Sequence, residues 1–288
     1  MDLTIFTPTY NRAHTLPRLY KSLCEQELKN FEWIVIDDGS TDQTESLIEK
    51  YRQDGYFNIR YIKTGNGGKY KAFNRAVLLA EGYLFMTLDS DDYLASAQVT
   101  VAVSNYRPFL EQHVDFCAVV GNKNFSDIEI IGSTVTYQTL DSDFVSYREK
   151  LKIKGDKAEV VKTDVLKEYP FPELPEEKFC PEGVIWNRIA LRYKARYVNV
   201  PFMICEYQSD GLSASVRKCR EQSPRMFMLY YYEYCCLDSV PVFNKLKRSI
   251  IYWACYFKTT GRVGFRYMIG HFGITLPLGW LFNKLKRL

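Results

Sequence analysis

The sequence predicts an α/β fold: a mostly parallel sheet flanked by helices, followed by a helical C-terminal extension rich in basic and aromatic residues. Three observations predict it. Short apolar runs alternate with amphipathic stretches through the first half of the 288 residues, the pattern left by βα units that feed a parallel sheet. Three of these runs end abruptly in polar clusters, and in open α/β sheets ligands collect at the carboxyl ends of the strands. Charge is also segregated, because Asn244 to Leu288 holds nine Lys or Arg and no Asp or Glu, leaving 29 basic against 34 acidic residues elsewhere. An acidic body therefore carries a basic tail.

Taken in order, Leu3 to Thr7 reads as the first strand, and Leu16, Leu19, Tyr20 and Leu23 then recur at helical spacing behind Pro17, which suits a first helical turn. Phe31 to Asp37 is the second strand. Asp42 with Glu45 three positions later reads as a capping box for a helix through Leu47, Ile48 and Tyr51. Asn58 to Lys63 is the third strand, and a glycine-rich loop leads into a helix through Phe73, Ala76, Val77 and Ala80 that Gly82 is expected to stop. Tyr83 to Leu88 is the fourth strand, delivering its end to Asp89-Ser90-Asp91-Asp92. Phe116 to Gly121 opens a strand-rich stretch, Pro170 to Pro175 breaks regular structure, and Glu182 to Tyr193 reads as a helix. From about Pro224 the character changes, so residues 1–223 are expected as one domain, in halves 1–120 and 121–223, and residues 224–288 as the extension.

Hydrophobic residues make up 47% of the chain, enough for one large core. The eight cysteines show no C-x-x-C spacing and several sit in apolar runs, so buried reduced thiols are expected. No basic n-region precedes Leu3 to Phe6, which reads as a strand rather than a signal sequence, and the site is expected in the cytoplasm.

Asp89, Asp91 and Asp92 put three carboxylates at one strand end, where mutual repulsion raises their pKa values unless a cation sits among them. Hard oxygen ligands suit Mg²⁺ or Mn²⁺, which also bridge phosphate oxygens; the bland alternative is an acidic turn that caps a helix. Asp37 and Asp38 end the second strand in the same manner and can accept hydrogen bonds from a base or a ribose, or else serve the turn. Thr7-Pro8-Thr9-Tyr10-Asn11 offers backbone groups and an aromatic face to a nucleobase, or is a strand-to-helix turn. The loop Gly65-Asn66-Gly67-Gly68 can bring amides to a diphosphate, with Lys69 and Lys71 supplying positive charge, although it is neither a P-loop nor a dinucleotide fingerprint.

Together, Thr7 to Arg12, Trp33 to Asp42, Gly67-Gly68-Lys69 with Ala72 and Asn74, and Leu88 to Asp92 resemble the family-2 glycosyltransferases, in order and spacing over roughly residues 1–120. The resemblance implies a GT-A fold, a Rossmann-like arrangement, and a nucleotide-sugar donor. It implies that Pro8, Tyr10 and Asp38 hold the nucleoside, with Asp38 reading a base that is often uracil, so a UDP-sugar is expected, and that Thr7, Arg12 and Ser90 also belong to the nucleotide-sugar site. Asp89-Ser90-Asp91 would be the DXD motif, Asp91 the metal contact, Asp89 the ribose or metal shell, and Lys69 and Asn74 the groups facing diphosphate or sugar. Relatives commonly open a helix of the second half with a Glu-Asp pair that includes the general base. Here that place reads Glu182-Gly183, which leaves Glu182 as the candidate base. Many relatives complete the metal shell with a histidine, for which Asp210 is the candidate substitute, and Arg217 and Lys218 would close over the diphosphate. Inversion at the anomeric carbon is likewise what the resemblance implies.

The tail residues Trp253, Tyr256 and Trp280 lie among nine basic residues, in apolar stretches shorter than the ~20 residues a spanning helix needs. Insertion at the inner face of an anionic membrane is expected, against packing on the domain or a dimer contact; no nucleic-acid motif appears. The function expected is hydroxyl glycosylation in surface polysaccharide or lipid-linked glycan synthesis. Sugar transfer to a polyprenyl phosphate, nucleotidyl transfer, and a catalytically silent donor-binding subunit are the rivals.

Overall fold

The structure is a computed structural model that describes residues 1–126, 128–206 and 216–285. Its first elements are β1 (Leu3–Thr9), α1 (Leu16–Cys24), β2 (Phe31–Asp37), α2 (Thr44–Asp54), β3 (Asn58–Lys63), α3 (Lys69–Leu79), β4 (Leu84–Thr87) and β5 (Asp92–Leu94). Then come α4 (Val99–Asn105), α5 (Arg107–Gln112), β6 (Phe116–Asn124), β7 (Thr139–Ser142), α6 (Phe144–Glu149), β8 (Lys157–Lys162), α7 (Thr163–Glu168), α8 (Gly183–Ile189) and β9 (Lys194–Cys205). The last are α9 (Val216–Gln222), α10 (Pro224–Cys236), α11 (Val242–Tyr256), α12 (Phe265–Phe272), a 3-10 turn (Gly273–Thr275) and α13 (Leu276–Lys284).

These elements form two compact units. The first comprises residues 1–143, 153–170 and the described part of 192–208, and the second comprises 144–152, 171–191 and the described part of 209–288. All nine strands belong to the first unit, in one sheet of order β3-β2-β1-β4-β8-β6-β9-β5, with β7 also paired to β9. The parallel character that the sequence predicts is confined to β3-β2-β1-β4 and to the pair β6-β9. β8 runs antiparallel to both β4 and β6, and β5 and β7 run antiparallel to β9.

β2 is buried along its whole length and β1 at all but one residue, as helices on both faces require and as their near-continuous apolar runs encode. Trp33 is fully buried, and the Tyr20 and Tyr51 rings stack beside it with centroids 3.7 Å apart. The buried carboxylate inside this core is paired: Glu32, fully buried on β2, accepts the Thr4 hydroxyl at 2.7 Å and the Glu81 amide at 2.8 Å.

Two local expectations are corrected. Gly82 does not stop α3, which ends at Leu79; it lets the chain pass against β1, where a Cβ would meet the Thr4 nitrogen at 2.4 Å. The capping box is absent as well. The Asp42 carboxylate instead accepts the Thr44 hydroxyl at 2.6 Å and the amides of Thr44 and Ala13, both at 3.0 Å, while Glu45 pairs with Lys63 at 2.8 Å.

The second unit is helical. α6, α8 and α9, which the sequence groups with residues 1–223, lie here with the extension, for reasons of packing and charge. Arg188 of α8 forks onto Glu233 of α10 with contacts of 2.6 and 3.1 Å, and Trp186 stacks on Phe144 of α6. Its core holds Met228, Tyr231, Tyr252, Trp253, Cys255 and Met268. The eight cysteines are free, and six of them are buried.

Candidate active site

The exits of β1, β2, β3 and β4 are tied to one another by short polar bonds in the first unit. The Asp38 amide donates to Thr9 O at 2.8 Å, and the Thr64 amide to Asp37 O at 2.8 Å. Asn11 takes a left-handed conformation, φ 54°, one that short polar side chains tolerate by bonding locally. Its amide donates to Ser40 Oγ at 2.8 Å and its Oδ1 accepts the Thr41 amide at 2.8 Å. The turns after β1 and β2 are thus one laced structure.

Within it the adjacent aspartates divide. Asp37 is fully buried and spent on the fold, accepting the Ser40 amide at 2.7 Å and the Tyr61 hydroxyl at 2.6 Å. Asp38 is half-buried and accepts the amides of Gly67 at 2.7 Å and Gly68 at 2.8 Å. The glycine-rich loop therefore spends these two amides on Asp38 rather than holding them toward a diphosphate. Gly68, at φ 98°, opens α3 and delivers Lys69 to its first position.

Lys69 brings this loop to the exit of β4. Its ammonium lies 2.8 Å from Oδ1 and 2.9 Å from Oδ2 of Asp89. Burial pushes the Asp89 carboxyl up, but Lys69 and then Lys123 outweigh it and hold the group below the usual aspartate value. Asp91 is pushed up instead, first by burial and then by the Asp89 charge. It is the one carboxylate of the three that has no ion pair among the described residues. Asp92 leaves the expected trio: it is buried, accepts the Cys205 thiol at 3.2 Å and lies 3.6 Å from the Lys123 ammonium. Burial raises its pKa to about 6.

No group of three His, Cys, Asp or Glu is placed to hold a metal among the described residues. Three carboxylates around one cation is therefore not the arrangement, because a lysine stands beside Asp89 and another beside Asp92. A partly buried Asp91 with no ion pair among the described residues, next to an ionised Asp89, still fits a divalent cation whose remaining ligands come from phosphate and water.

The other expected residues are distributed as follows. Thr7 is inside the sheet, its hydroxyl taken by the Trp33 indole at 2.9 Å, so its side chain is not offered to a ligand. Tyr10 is 48% exposed beside half-buried Pro8 and Arg12, and the Arg12 charge acts on Asp91. Ser90 is buried and Asn74 half-buried on α3. Glu182 belongs to the second unit, exposed at the N-cap of α8. At Gly183 a Cβ would meet Tyr230 Cε2 at 2.5 Å, so that ring occupies the room an acidic side chain needs. Arg217 pairs with Glu221 at 3.5 Å on α9. Asp210 lies outside the described residues.

Sequence reasoning missed Lys123 and Arg18. Lys123 follows the apolar run Phe116 to Val120, and a polar residue at the end of such a strand is the signal that marks it. Arg18 carries no local signal. From the first turn of α1 it donates to Asp91 O at 2.8 Å, pairs with Glu206, and lies over the Tyr93 ring at 4.5 Å.

Residues 4–127 match the family described as Glycosyl transferase family 2. The poly(ribitol-phosphate) beta-N-acetylglucosaminyltransferase TarS of Staphylococcus aureus is 35% identical over 115 residues, 39% of this chain and 19% of that protein; the chain thus spans about a fifth of that relative's length. The GalNAc(5)-diNAcBac-PP-undecaprenol beta-1,3-glucosyltransferase of Campylobacter jejuni is 26% identical over 224 residues, 75% of this chain and 68% of that protein. Among solved structures, S. aureus TarS 1-349 with UDP-GlcNAc aligns at TM-score 0.61 and 21% identity, covering 91% of this chain and 74% of that one. The mannosyltransferase PcManGT of Pyrobaculum calidifontis with GDP-Man and Mn²⁺ aligns at TM-score 0.56 and 18% identity, covering 98% and 86%. Both likenesses establish the GT-A fold.

Proposed function

The chain carries a family-2 glycosyltransferase domain, and from that premise we propose that it transfers a sugar from a nucleoside-diphosphate sugar, a UDP-sugar first of all, to an acceptor hydroxyl. The observation that carries this reading is the meeting of Asp38, Lys69, Asp89 and Asp91 at one edge of the sheet, inside the segment that matches the family. That S. aureus TarS 1-349 was solved with UDP-GlcNAc supports a UDP-sugar as donor.

In this reading Tyr10, Pro8 and Arg12 face the nucleoside together with Asp38, while Lys69 and Asn74 face the diphosphate and sugar. Asp91 and Asp89 would hold Mn²⁺ or Mg²⁺, with Asp210 as a further candidate ligand. Such an ion neutralises charge on the leaving diphosphate. Lys69 opposes the same charge from the protein side, and Arg18 holds the backbone of Asp91 still. Glu182 accepts the proton of the acceptor hydroxyl as that oxygen attacks the anomeric carbon and the bond to the diphosphate breaks, so configuration inverts.

The acceptor we propose is a glycan or a lipid-linked glycan in surface polysaccharide synthesis. The name of the C. jejuni relative carries an undecaprenol-linked acceptor, and that protein is the one of the two that the chain matches over most of its length. The work would then take place at the cytoplasmic face of the cell membrane, with residues 224–288 at the lipid surface; no helix among the described residues is long and apolar enough to cross it. The test is release of UDP from a panel of UDP-sugars with Mn²⁺ and a hydroxyl acceptor. Release of pyrophosphate instead would point to nucleotidyl transfer, and binding without any release would point to a silent donor-binding subunit.

A further inference from the structure

We propose that the outward face of the 3-10 turn and α13 is the surface by which this chain seats on an anionic phospholipid bilayer. The proposal rests on the membrane reading of residues 224–288 and names the face; it does not depend on the transfer chemistry.

The sequence pointed to Trp253, Tyr256 and Trp280 as inserting residues; the structure removes Trp253 from that role, leaves Tyr256 half-buried and leaves Trp280 48% exposed on α13. Trp253 is fully buried, donates its indole N–H to Phe272 O at 3.1 Å, and meets the Tyr256 and Phe265 rings edge-on. α13 packs on this core through Gly279, where a Cβ would lie 2.3 Å from Trp253 Cβ and 2.8 Å from Ile250 O. The opposite side of α13 is apolar too, and among the described residues of this unit nothing covers it. Ile274, Leu278, Leu281 and Leu285 are 84%, 53%, 46% and 52% exposed. Their spacing of four, three and four residues keeps them in one stripe along a helix.

Charge decides the occupant. Exposed Lys284 lies on the same helix, exposed Arg266 and Arg262 precede Ile274 by 8 and 12 residues in the sequence, and no acidic residue occurs from Asn244 to Leu288. An apolar stripe within an all-basic segment suits acyl chains beneath anionic headgroups. Two copies of the chain meeting on this face would bring the same basic residues together, an arrangement that like charge opposes.

The experiment is co-sedimentation of the full chain with phosphatidylglycerol-containing vesicles and with pure phosphatidylcholine vesicles. It compares wild type, Leu278→Asp/Leu281→Asp and Arg262→Glu/Arg266→Glu, with Tm and vesicle-free sedimentation measured for each. Wild type is expected on the anionic vesicles, with each double variant bound at least ~10-fold more weakly at unchanged Tm, since both buried apolar area and basic charge drive such binding. Equal vesicle binding by the leucine variant would overturn the assignment of this face. No binding by wild type would overturn the membrane reading with it, leaving UDP release as the separate test of transfer. Self-association of wild type that the leucine variant abolishes would make the occupant a second copy and also overturn the proposal.

Discussion

Arg18 lies far in sequence from every motif, and replacing it by Met tests whether the backbone of the carboxylate turn is held for a purpose. The substitution keeps the aliphatic stem and removes the bond to Asp91 O at 2.8 Å together with the pair to Glu206. A hydrogen bond from a charged donor is worth about 1.5–3 kcal/mol. Because the Arg18 side chain is 34% exposed and Glu206 50% exposed, the pair adds little, and a loss of about 1–2 kcal/mol is expected. That corresponds to a fall in Tm of about 2–3 °C for a chain of this size. The larger effect is expected in turnover, since displacing a reacting group by about 1 Å can cost ~100-fold. In steady-state assays of UDP release, Arg18→Met should lower kcat by about 10- to 100-fold while KM for the donor changes less than about threefold, and Arg18→Lys should recover part of the loss. A kcat within twofold of wild type, with Tm lowered as stated, would leave Arg18 a stabilising residue only and refute the positioning role.

Asp38→Ala removes the acceptor for the Gly67 and Gly68 amides at 2.7 and 2.8 Å, so donor KM should rise at least ~10-fold through lost loop order and lost base contact together; unchanged KM would contradict this. The Asp42 carboxyl feels burial pushing it up, but the Thr44 hydroxyl and the amides of Ala13 and Thr44 outweigh burial and hold it below its ordinary 3.8. Its contribution, about 1 kcal/mol, is present above that value and is lost as pH falls through the lower folded value. The stability gap between wild type and Asp42→Ala should therefore close in strong acid, and a gap that is constant down to the lowest pH would rule this out. Gly183→Asp, designed to restore a paired acid, should destabilise by about 1–3 kcal/mol and not raise turnover, because Tyr230 Cε2 lies 2.5 Å from the new Cβ; a stable, faster variant would refute the crowding argument.

The parallel half of the sheet was legible because β1, β2 and β4 are apolar runs that end in polar turns; Asp38, Asp89 and Asp91 came from reading those ends, and Lys69 from the glycine-rich loop that follows β3. What failed was of two physical kinds. Side-chain direction cannot be read from a strand end: Asp37 and Asp92 look like their neighbours in sequence, yet they face Tyr61 and Cys205 in the interior. Thr7 likewise faces Trp33. Long-range partners are also invisible locally, which is why Arg18, bonded to Asp91 O across the sequence, went unseen and why Trp253, whose indole is held by Phe272 O, was assigned to a membrane instead of the core. In the second half, β8 adds between β4 and β6 in the opposite sense, a topological choice that strand composition does not encode.

The central claim is tested most directly by calorimetric titration of UDP into wild type and Asp91→Asn, each with and without Mn²⁺. The account predicts that Mn²⁺ tightens UDP binding to wild type at least ~10-fold and leaves Asp91→Asn nearly unaffected, the difference being about 1.4 kcal/mol or more. Equal tightening in both proteins would place the cation away from Asp91 and contradict the assignment of the fourth strand's exit as the donor site.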